Sequence, residues 1–559
     1  MPPRSCRASQ NDALSTDDPR SLLRVTRGMT LVVALSRLTG FVRLAVALAV
    51  LGTATQLGNV YQTANTVPTL LFELFAAGAL QAALIPDLVD RLDRGDRQGA
   101  GRIASSALVV GGVALGALVV IGIAARGPVM DWFLRDVPVA SREEAAALGE
   151  FMLWFFMPQL LLYLAGAVAT AVLNAQRRFY APVFAPLVNN VVVILTLVVF
   201  SLQRAGRPPS LDLSGVEKLI LAGGTTAGVL LFCSLPVVAA IRTGFRLRRP
   251  LSPTSPEFGG LMRSSSWTIT FLALGQLLSI VVLPLTNAVD GHTLVWQTSW
   301  QVFLLPYALL AVPVLTARFP AMSSAIRRGD DAAFAQYVAD GTRSVMTFGL
   351  LTGAAMLATG PLMARVVAFG AGEGGVDALG WAIVGFGAGV AGYGLLMFLA
   401  RAWFAAGDAR TPALIQLGVV AVASVAMMVL VGTVDDELRL LVLALCFAAA
   451  QIVGAALAFG LLWPRHLRDQ FPAAGLPAGI LRRGVAAIAA GLVMWVVTRY
   501  TPAGRAAAAG GLAVAGTLGV AVFLAVQRLL GGAGVRATLS SMGAADTPGP
   551  TAGQGWSDG

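Results

Sequence analysis

Charge is scarce in this sequence. Asp, Glu, Lys and Arg make up 12% of its 559 residues, against roughly 25% in soluble domains, while 56% are hydrophobic. No soluble core needs that much apolar surface, which excludes an ordinary soluble fold. Cysteine is nearly absent: Cys6 lies in a terminal tail, and Cys233 and Cys446 lie inside apolar runs, which argues against disulfides and against a metal cluster. There are two histidines. His292 falls in an expected external loop and reads as surface polarity, not as a catalytic base. The chain shows no acid/base pair, nucleophile arrangement, Walker loop or metal-ligand spacing, so neither an enzyme nor a cofactor is expected.

What the chain does have is long apolar runs. At roughly 20 residues per bilayer crossing, about 14 spans fit, near 28–50, 58–86, 104–125, 149–174, 183–203, 216–241, 264–288, 295–319, 342–363, 379–404, 413–433, 438–463, 480–499 and 507–528. The formal charge of +11 sits in alternate gaps between these runs. Arg24 and Arg27, Arg91 and Arg94, Arg177 and Arg178, Arg246 and Arg248, Arg327 and Arg328, Arg410, Arg465 and Arg528 fall on one side. The other side carries neutral or acidic loops, including Glu143, Asp290, Glu373 and Asp435. By the positive-inside rule both termini are cytoplasmic. Basic residues dispersed this way orient a membrane protein and contact anionic lipid; they do not form a stripe for nucleic acid.

A repeat runs through the chain. NAQRRFYAPVFAP at 174–186 and WFAAGDARTPALI at 403–415 place Pro182 and Pro412 at matching points 230 residues apart, each opening a span after a short turn. The resulting fold class is an all-α polytopic membrane protein of two pseudo-symmetric six-helix bundles plus two C-terminal helices. Its expected parts are a tail at 1–27, lobes at 28–241 and 264–463 joined by a linker at 242–263, a second linker at 464–479, the added pair at 480–528, and a disordered tail at 529–559.

Five ordered segments carry a family resemblance: SRLTGFVR at 36–43, VPTLLFELFAAGALQAALIP at 67–86, AVLNAQRRFYAPVFAPLVNN at 171–190, LPVVAAIRTGFRLR at 235–248 and LARAWFAAGDARTP at 399–412. They resemble the MurJ (MviN) family of bacterial lipid II flippases, within the exporter superfamily that includes the MATE transporters. The resemblance implies fourteen helices, a cavity between two lobes, and a lipid-accessible groove formed with the last two helices. It also implies a substrate, undecaprenyl-pyrophosphate-linked peptidoglycan precursor carried from the inner to the outer leaflet, and cell-wall synthesis proteins as partners of a monomeric carrier in the bacterial inner membrane.

Several polar groups interrupt the spans. Arg37 and Arg43, six apart in the first span, point about 120° from each other round a helix and suit either adjoining walls of a cavity or, above all for Arg37, snorkelling toward the cytoplasmic headgroups. Guanidinium supplies the fixed, charge-assisted donors that a pyrophosphate needs, and the family uses first-span arginines so. Glu73 needs a cavity or a partner, for which Arg43 or Arg37 would serve. Pro68 removes a backbone donor and suggests a kink beside the cavity. Gly78, with Ala79 and Ala82, offers a face for close helix packing. Gln62, Asn65, Gln276, Gln301 and Asn287 are expected either on the cavity wall or in hydrogen bonds between helices. Asp408 is expected to cap the helix that Pro412 opens.

The chain also departs from the family pattern. Phe72 and Glu73 replace a pair of arginines, Ala77 an acid, Leu44 and Asn59 aspartates, and Gln301 a central arginine. These changes weaken the substrate inference and leave two alternatives: a cation-coupled small-molecule or drug exporter, and a non-transporting scaffold of cell-wall assembly. Transport would draw on membrane potential, about 2.3 kcal/mol per charge per 100 mV, with the coupling ion unassigned.

Overall fold

The computed structural model describes residues 19–77, 80, 84–251, 256–467 and 476–531. The expectations for most of both tails, for Gly78, Ala79 and Ala82, and for much of the two linkers therefore lie outside the described residues.

In chain order the α-helices are α1 (Pro19–Leu51), α2 (Leu57–Phe72), α3 (Ile85–Asp93), α4 (Arg97–Ala124), α5 (Arg126–Phe133), α6 (Val139–Phe156), α7 (Gln159–Ala175), α8 (Tyr180–Arg204) and α9 (Gly215–Arg242). They continue with α10 (Pro256–Asn287), α11 (His292–Pro306), α12 (Val312–Arg327), α13 (Asp331–Val367), α14 (Val376–Ala405), α15 (Arg410–Leu430), α16 (Asp436–Leu462), α17 (Leu476–Tyr500) and α18 (Arg505–Leu529). The protein is an all-α polytopic membrane protein. Twelve of the helical stretches among the described residues are long and apolar enough to cross a bilayer. The first two expected spans fall on α1 and on α2 with the turn Glu73–Ala77, which are not among those twelve.

Local chemistry sets the ends. The Asp96 carboxylate accepts from the Gly99 N–H at 2.8 Å to cap α4, and Asp330 does the same for α13 through Ala333 at 2.9 Å. Ser214 and Glu217 form a reciprocal capping box at α9. Pro158 separates α6 from α7, so the expected fourth span is a pair of helices.

The repeat is visible as hydrogen bonds. Before α8, the N–H groups of residues 176, 177 and 178 donate to the carbonyls of 172, 174 and 173; before α15, those of 406, 407 and 408 donate to 402, 404 and 403. Pro182 and Pro412 are each the third residue of their helix. Arg177 and Gly407 hold the same left-handed corner, at φ 58° and 83°. A second matched pair escaped the sequence reading: Arg94–Gly95–Asp96 and Arg328–Gly329–Asp330, whose glycines turn at φ 78° and 68° and whose aspartates cap the next helix. Two π-helical turns, Glu73–Ala77 and Tyr307–Ala311, also match.

The main core draws on α1–α11 together with α13–α16, so it runs across both halves of the chain. A smaller core lies wholly within the second half. Close approach there depends on glycine: a Cβ on Gly353 would lie 2.7 Å from the Gly387 carbonyl oxygen, and one on Gly389 would lie 2.9 Å from the Ala448 Cα. Helices α17 and α18 pack on α13 through Ala358, Ala486, Met494 and Phe523. Outward-facing side chains such as Val113 and Val120 are exposed and apolar, as a lipid-facing surface requires.

Candidate functional site

Helix α1 builds the site. Gly40 lets α8 come close, since a Cβ there would lie 3.3 Å from Asn190 Nδ2. The Asn190 amide then donates to the Ser36 carbonyl at 3.2 Å and to Thr39 Oγ1 at 3.4 Å, fixing α1 against α8. Between them and α11 lies a cavity of about 360 Å³ whose wall includes Arg37, Arg43, Asn190 and Gln301. Pro186 of α8 also faces it, and lacks the N–H that would otherwise bond the carbonyl four residues back. Among the described residues the wall has no acid, and neither arginine is in an ion pair. Arg37 is exposed and Arg43 half-buried, and two guanidinium groups without a carboxylate favour an anion there.

Arg37, Arg43 and Gln301 therefore come together, although α1 and α11 are far apart in sequence. The other sequence candidates do not join them. Glu73 begins the π turn after α2, half-buried and off the cavity wall; it makes no ion pair with Arg43 or Arg37, so the expected pairing is not formed. The Gln62 amide donates along its own helix to Thr66 Oγ1 at 3.4 Å, while Asn65 and Gln276 are half-buried off the wall. Pro68 lies within continuous α2, and the change of helix geometry comes five residues later, at Glu73. Asn190, Ser36 and Pro186 were missed, though an asparagine pair and a second proline in the 171–190 segment were visible signals.

Asn287 belongs to a buried polar clasp. Its amide donates to Thr63 Oγ1 at 3.0 Å and to the Phe133 carbonyl at 2.9 Å, and its oxygen accepts from Thr293 Oγ1 at 2.6 Å. Alongside it, Asn59 donates to the Val289 carbonyl at 2.8 Å, and Gln56 donates to Asp290 at 2.7 Å. His292, expected at the surface, is 7% exposed within this region, and its Nδ1 has no partner among the described residues. The turn expected to be external is thus packed between helices, which no periodicity in the sequence reveals.

The family departures have structural counterparts. Phe72 packs in a tilted arrangement 5.6 Å from the Tyr163 ring, Asn59 serves the clasp, Leu44 is buried at the cavity edge, and Gln301 lines the wall. Among the described residues no group of His, Cys, Asp and Glu could hold a metal.

Beside the cationic cavity runs an apolar groove of about 400 Å³, lined by Val302, Leu309, Met356, Met363 and Leu512, among others. Phe41 and Leu305 line both spaces. An arginine-lined cavity beside an apolar groove, in a bundle of bilayer-length helices, fits a polytopic membrane transporter. The family model described as lipid II flippase MurJ matches residues 48–507, and the chain belongs to that family. Similar proteins include the probable lipid II flippase MurJ of Vibrio cholerae, 26% identical over 72% of this chain and 75% of the relative. The lipid II flippase MurJ of Burkholderia cenocepacia is 26% identical over 72% of this chain and 76% of its own length. Among solved structures, a lipid II flippase MurJ in an inward closed conformation superposes with a TM-score of 0.71 at 15% identity, covering 90% of this chain and 98% of its own. An inward-facing MATE family multidrug transporter superposes at 0.61 with 12% identity, covering 79% and 95%. These likenesses carry the fold.

Proposed function

We propose that this protein moves lipid II, or a closely related undecaprenyl-pyrophosphate-linked glycan, from the inner to the outer leaflet by alternating access. The observation that carries the reading is the shared wall: Phe41 and Leu305 line both the Arg37–Arg43 cavity and the neighbouring groove, in which Thr352 is the sole polar lining residue among the described ones. The pyrophosphate binds Arg37 and Arg43, Gln301 and Asn190 supply neutral hydrogen bonds, and the prenyl tail stays in the groove toward Leu512 of α18. Gln62, Asn65 and Gln276 contact substrate only in another conformation, as does Glu73.

Residues 28–241 and 264–463 act as the two rocking lobes, hinged by 242–263, and Pro182 and Pro412 hold equivalent helix starts within them. The matched hydrogen-bonded turns support that division. The arginine-rich gaps support placement in the bacterial inner membrane with both termini cytoplasmic, in contact with anionic lipid. The protein acts as a monomeric carrier, with no catalytic step of its own, beside cell-wall synthesis proteins. The absence of an acid from the described cavity wall disfavours a cation exporter.

Reconstitution with fluorescent lipid II tests this directly. Wild type accelerates movement between leaflets, and Arg43→Ala removes most of that activity while remaining folded. A wild-type protein that moves no lipid II, or an Arg43→Ala protein as active as wild type, overturns the proposal.

A further inference from the structure

A second cationic space lies at the arginine-rich end of the bundle and shares no lining residue with the Arg37–Arg43 cavity. It encloses about 600 Å³ between three chain segments: the α3–α4 turn, the α7–α8 turn, and the start of the stretch after α9. Arg97, Arg177, Arg178, Arg246 and Arg248 line it, against one acid, Asp93. None of the five arginines is in an ion pair among the described residues.

The third segment is held in place by specific bonds. The Arg248 N–H donates to the Gly101 carbonyl at 3.3 Å and to Ser105 Oγ at 3.1 Å, and the Leu251 N–H donates to Ser106 Oγ at 2.7 Å. Gly101 is required for this contact, because a Cβ there would lie 2.5 Å from the Arg246 carbonyl oxygen. Two of the five arginines therefore stand on backbone that is fixed before any ligand arrives, which lowers the ordering cost of binding.

The matched turn in the second half shows that the fold does not demand these charges. Where the first half has Arg177 and Arg178, the second has Gly407 and Asp408, and Asp408 is satisfied locally by the Thr411 N–H and hydroxyl. Arg177 holds a left-handed corner that glycine occupies without strain. An arginine at a strained corner, lining one water-accessible space with four others, suits a ligand with several negative charges on tetrahedral oxygen groups.

We propose that this basin is a binding site for phosphate, presented either on the headgroup of an anionic membrane lipid or as a soluble polyphosphate. Bound there, the ligand bridges the start of α4, the α7–α8 turn and the start of the stretch after α9, and so ties three segments of the first half together. The site is independent of what the Arg37–Arg43 cavity carries.

The test uses the full-length protein in lipid nanodiscs. In phosphatidylcholine discs it is titrated with inorganic pyrophosphate and read by the shift in thermal midpoint; in discs with graded phosphatidylglycerol, retained lipid is counted by native mass spectrometry. The variant combines Arg177→Gly, which relieves the strained corner, with Arg246→Gln. Arg528→Gln, at the end of α18 and outside the basin, is the control. An unchanged ligand-free midpoint shows that the double variant is folded. Binding weakened about tenfold or more in the double variant alone, as expected for lost charge-assisted hydrogen bonds, establishes the site. A pyrophosphate response in phosphatidylcholine assigns a soluble ligand, and selective loss of phosphatidylglycerol assigns a headgroup. If wild type, double variant and control bind both probes alike, the basin is only an orienting cluster and the proposal fails.

Discussion

Asn59 accepts the backbone N–H of Thr293 at 2.9 Å, across 234 residues of chain. The two residues stand near the starts of α2 and α11, helices at equivalent places in the two halves, and the same Asn59 donates to Gln56 and to the Val289 carbonyl. One side chain thus closes the end of the bundle opposite the arginine-rich gaps. Asn59→Leu leaves the buried Thr293 N–H without its acceptor, at about 1–3 kcal/mol, while the Val289 carbonyl keeps the His292 N–H. Denaturant unfolding in detergent should register that loss; a change below about 0.5 kcal/mol, the range of a neutral surface substitution, would mean the clasp contributes nothing.

Gln301 faces the same cavity as Arg37 and Arg43 but brings no charge. Gln301→Arg adds a third guanidinium to a wall without acids. Affinity for a pyrophosphate-linked lipid should rise about tenfold or more, the usual scale of one added charge-assisted hydrogen bond. Measured binding that is unchanged or weaker would show that the phosphate does not reach α11.

Glu217 is fully buried at the start of α9, 2.8 Å from Arg207 Nη2 and 3.5 Å from Arg204 Nη1, with its second oxygen accepting the Ser214 N–H at 2.7 Å. Glu217→Ala leaves the buried Arg204 without its carboxylate and removes half of the capping box. A stability loss of about 3–5 kcal/mol is expected. A thermal midpoint equal to wild type would contradict it.

Burial alone would raise the Asp408 carboxyl, but hydrogen bonds from the Thr411 hydroxyl, from the Thr411 and Arg410 N–H groups, and the charge of Arg465 outweigh it and hold it below the usual carboxylate range. A depressed folded-state value makes its contribution present above the unfolded value, about 3.9, and lost as pH falls through the folded value. Thermal midpoints should fall less steeply below pH 4 in Asp408→Asn than in wild type. Identical acid limbs would remove Asp408 from the account.

Most of the fold was legible because lipid enforces it. A chain that must satisfy its backbone in hydrocarbon declares each crossing by length and apolarity, and Pro182 and Pro412 mark equivalent starts by their missing N–H. Arg37, Arg43 and Gln301 were legible as charges or amides that lipid would not tolerate. Their meeting was not, because it depends on Gly40 and Asn190 setting the distance between α1 and α8. Glu73 misled for the opposite reason: a carboxylate suggests a nearby cation, but the π turn that begins there sets its direction, and π turns leave no periodic mark. Asn287 and His292 were ambiguous from composition alone, since a polar residue near a helix end serves equally well in water or between helices.

The two π turns, at Glu73 and at Tyr307, are 234 residues apart, as are Arg94–Gly95–Asp96 and Arg328–Gly329–Asp330, whereas the corners at Arg177 and Gly407 are 230 apart. Features that recur at one register mark equivalent positions: each half brings one such wide turn, and the chamber takes Arg37 and Arg43 from the first half and Gln301 from the second, so neither lines it alone. The four-residue difference, about one turn of helix, falls between the α4 start and the α7–α8 corner, so the halves differ in length on the stretch that borders the arginine basin in the first of them.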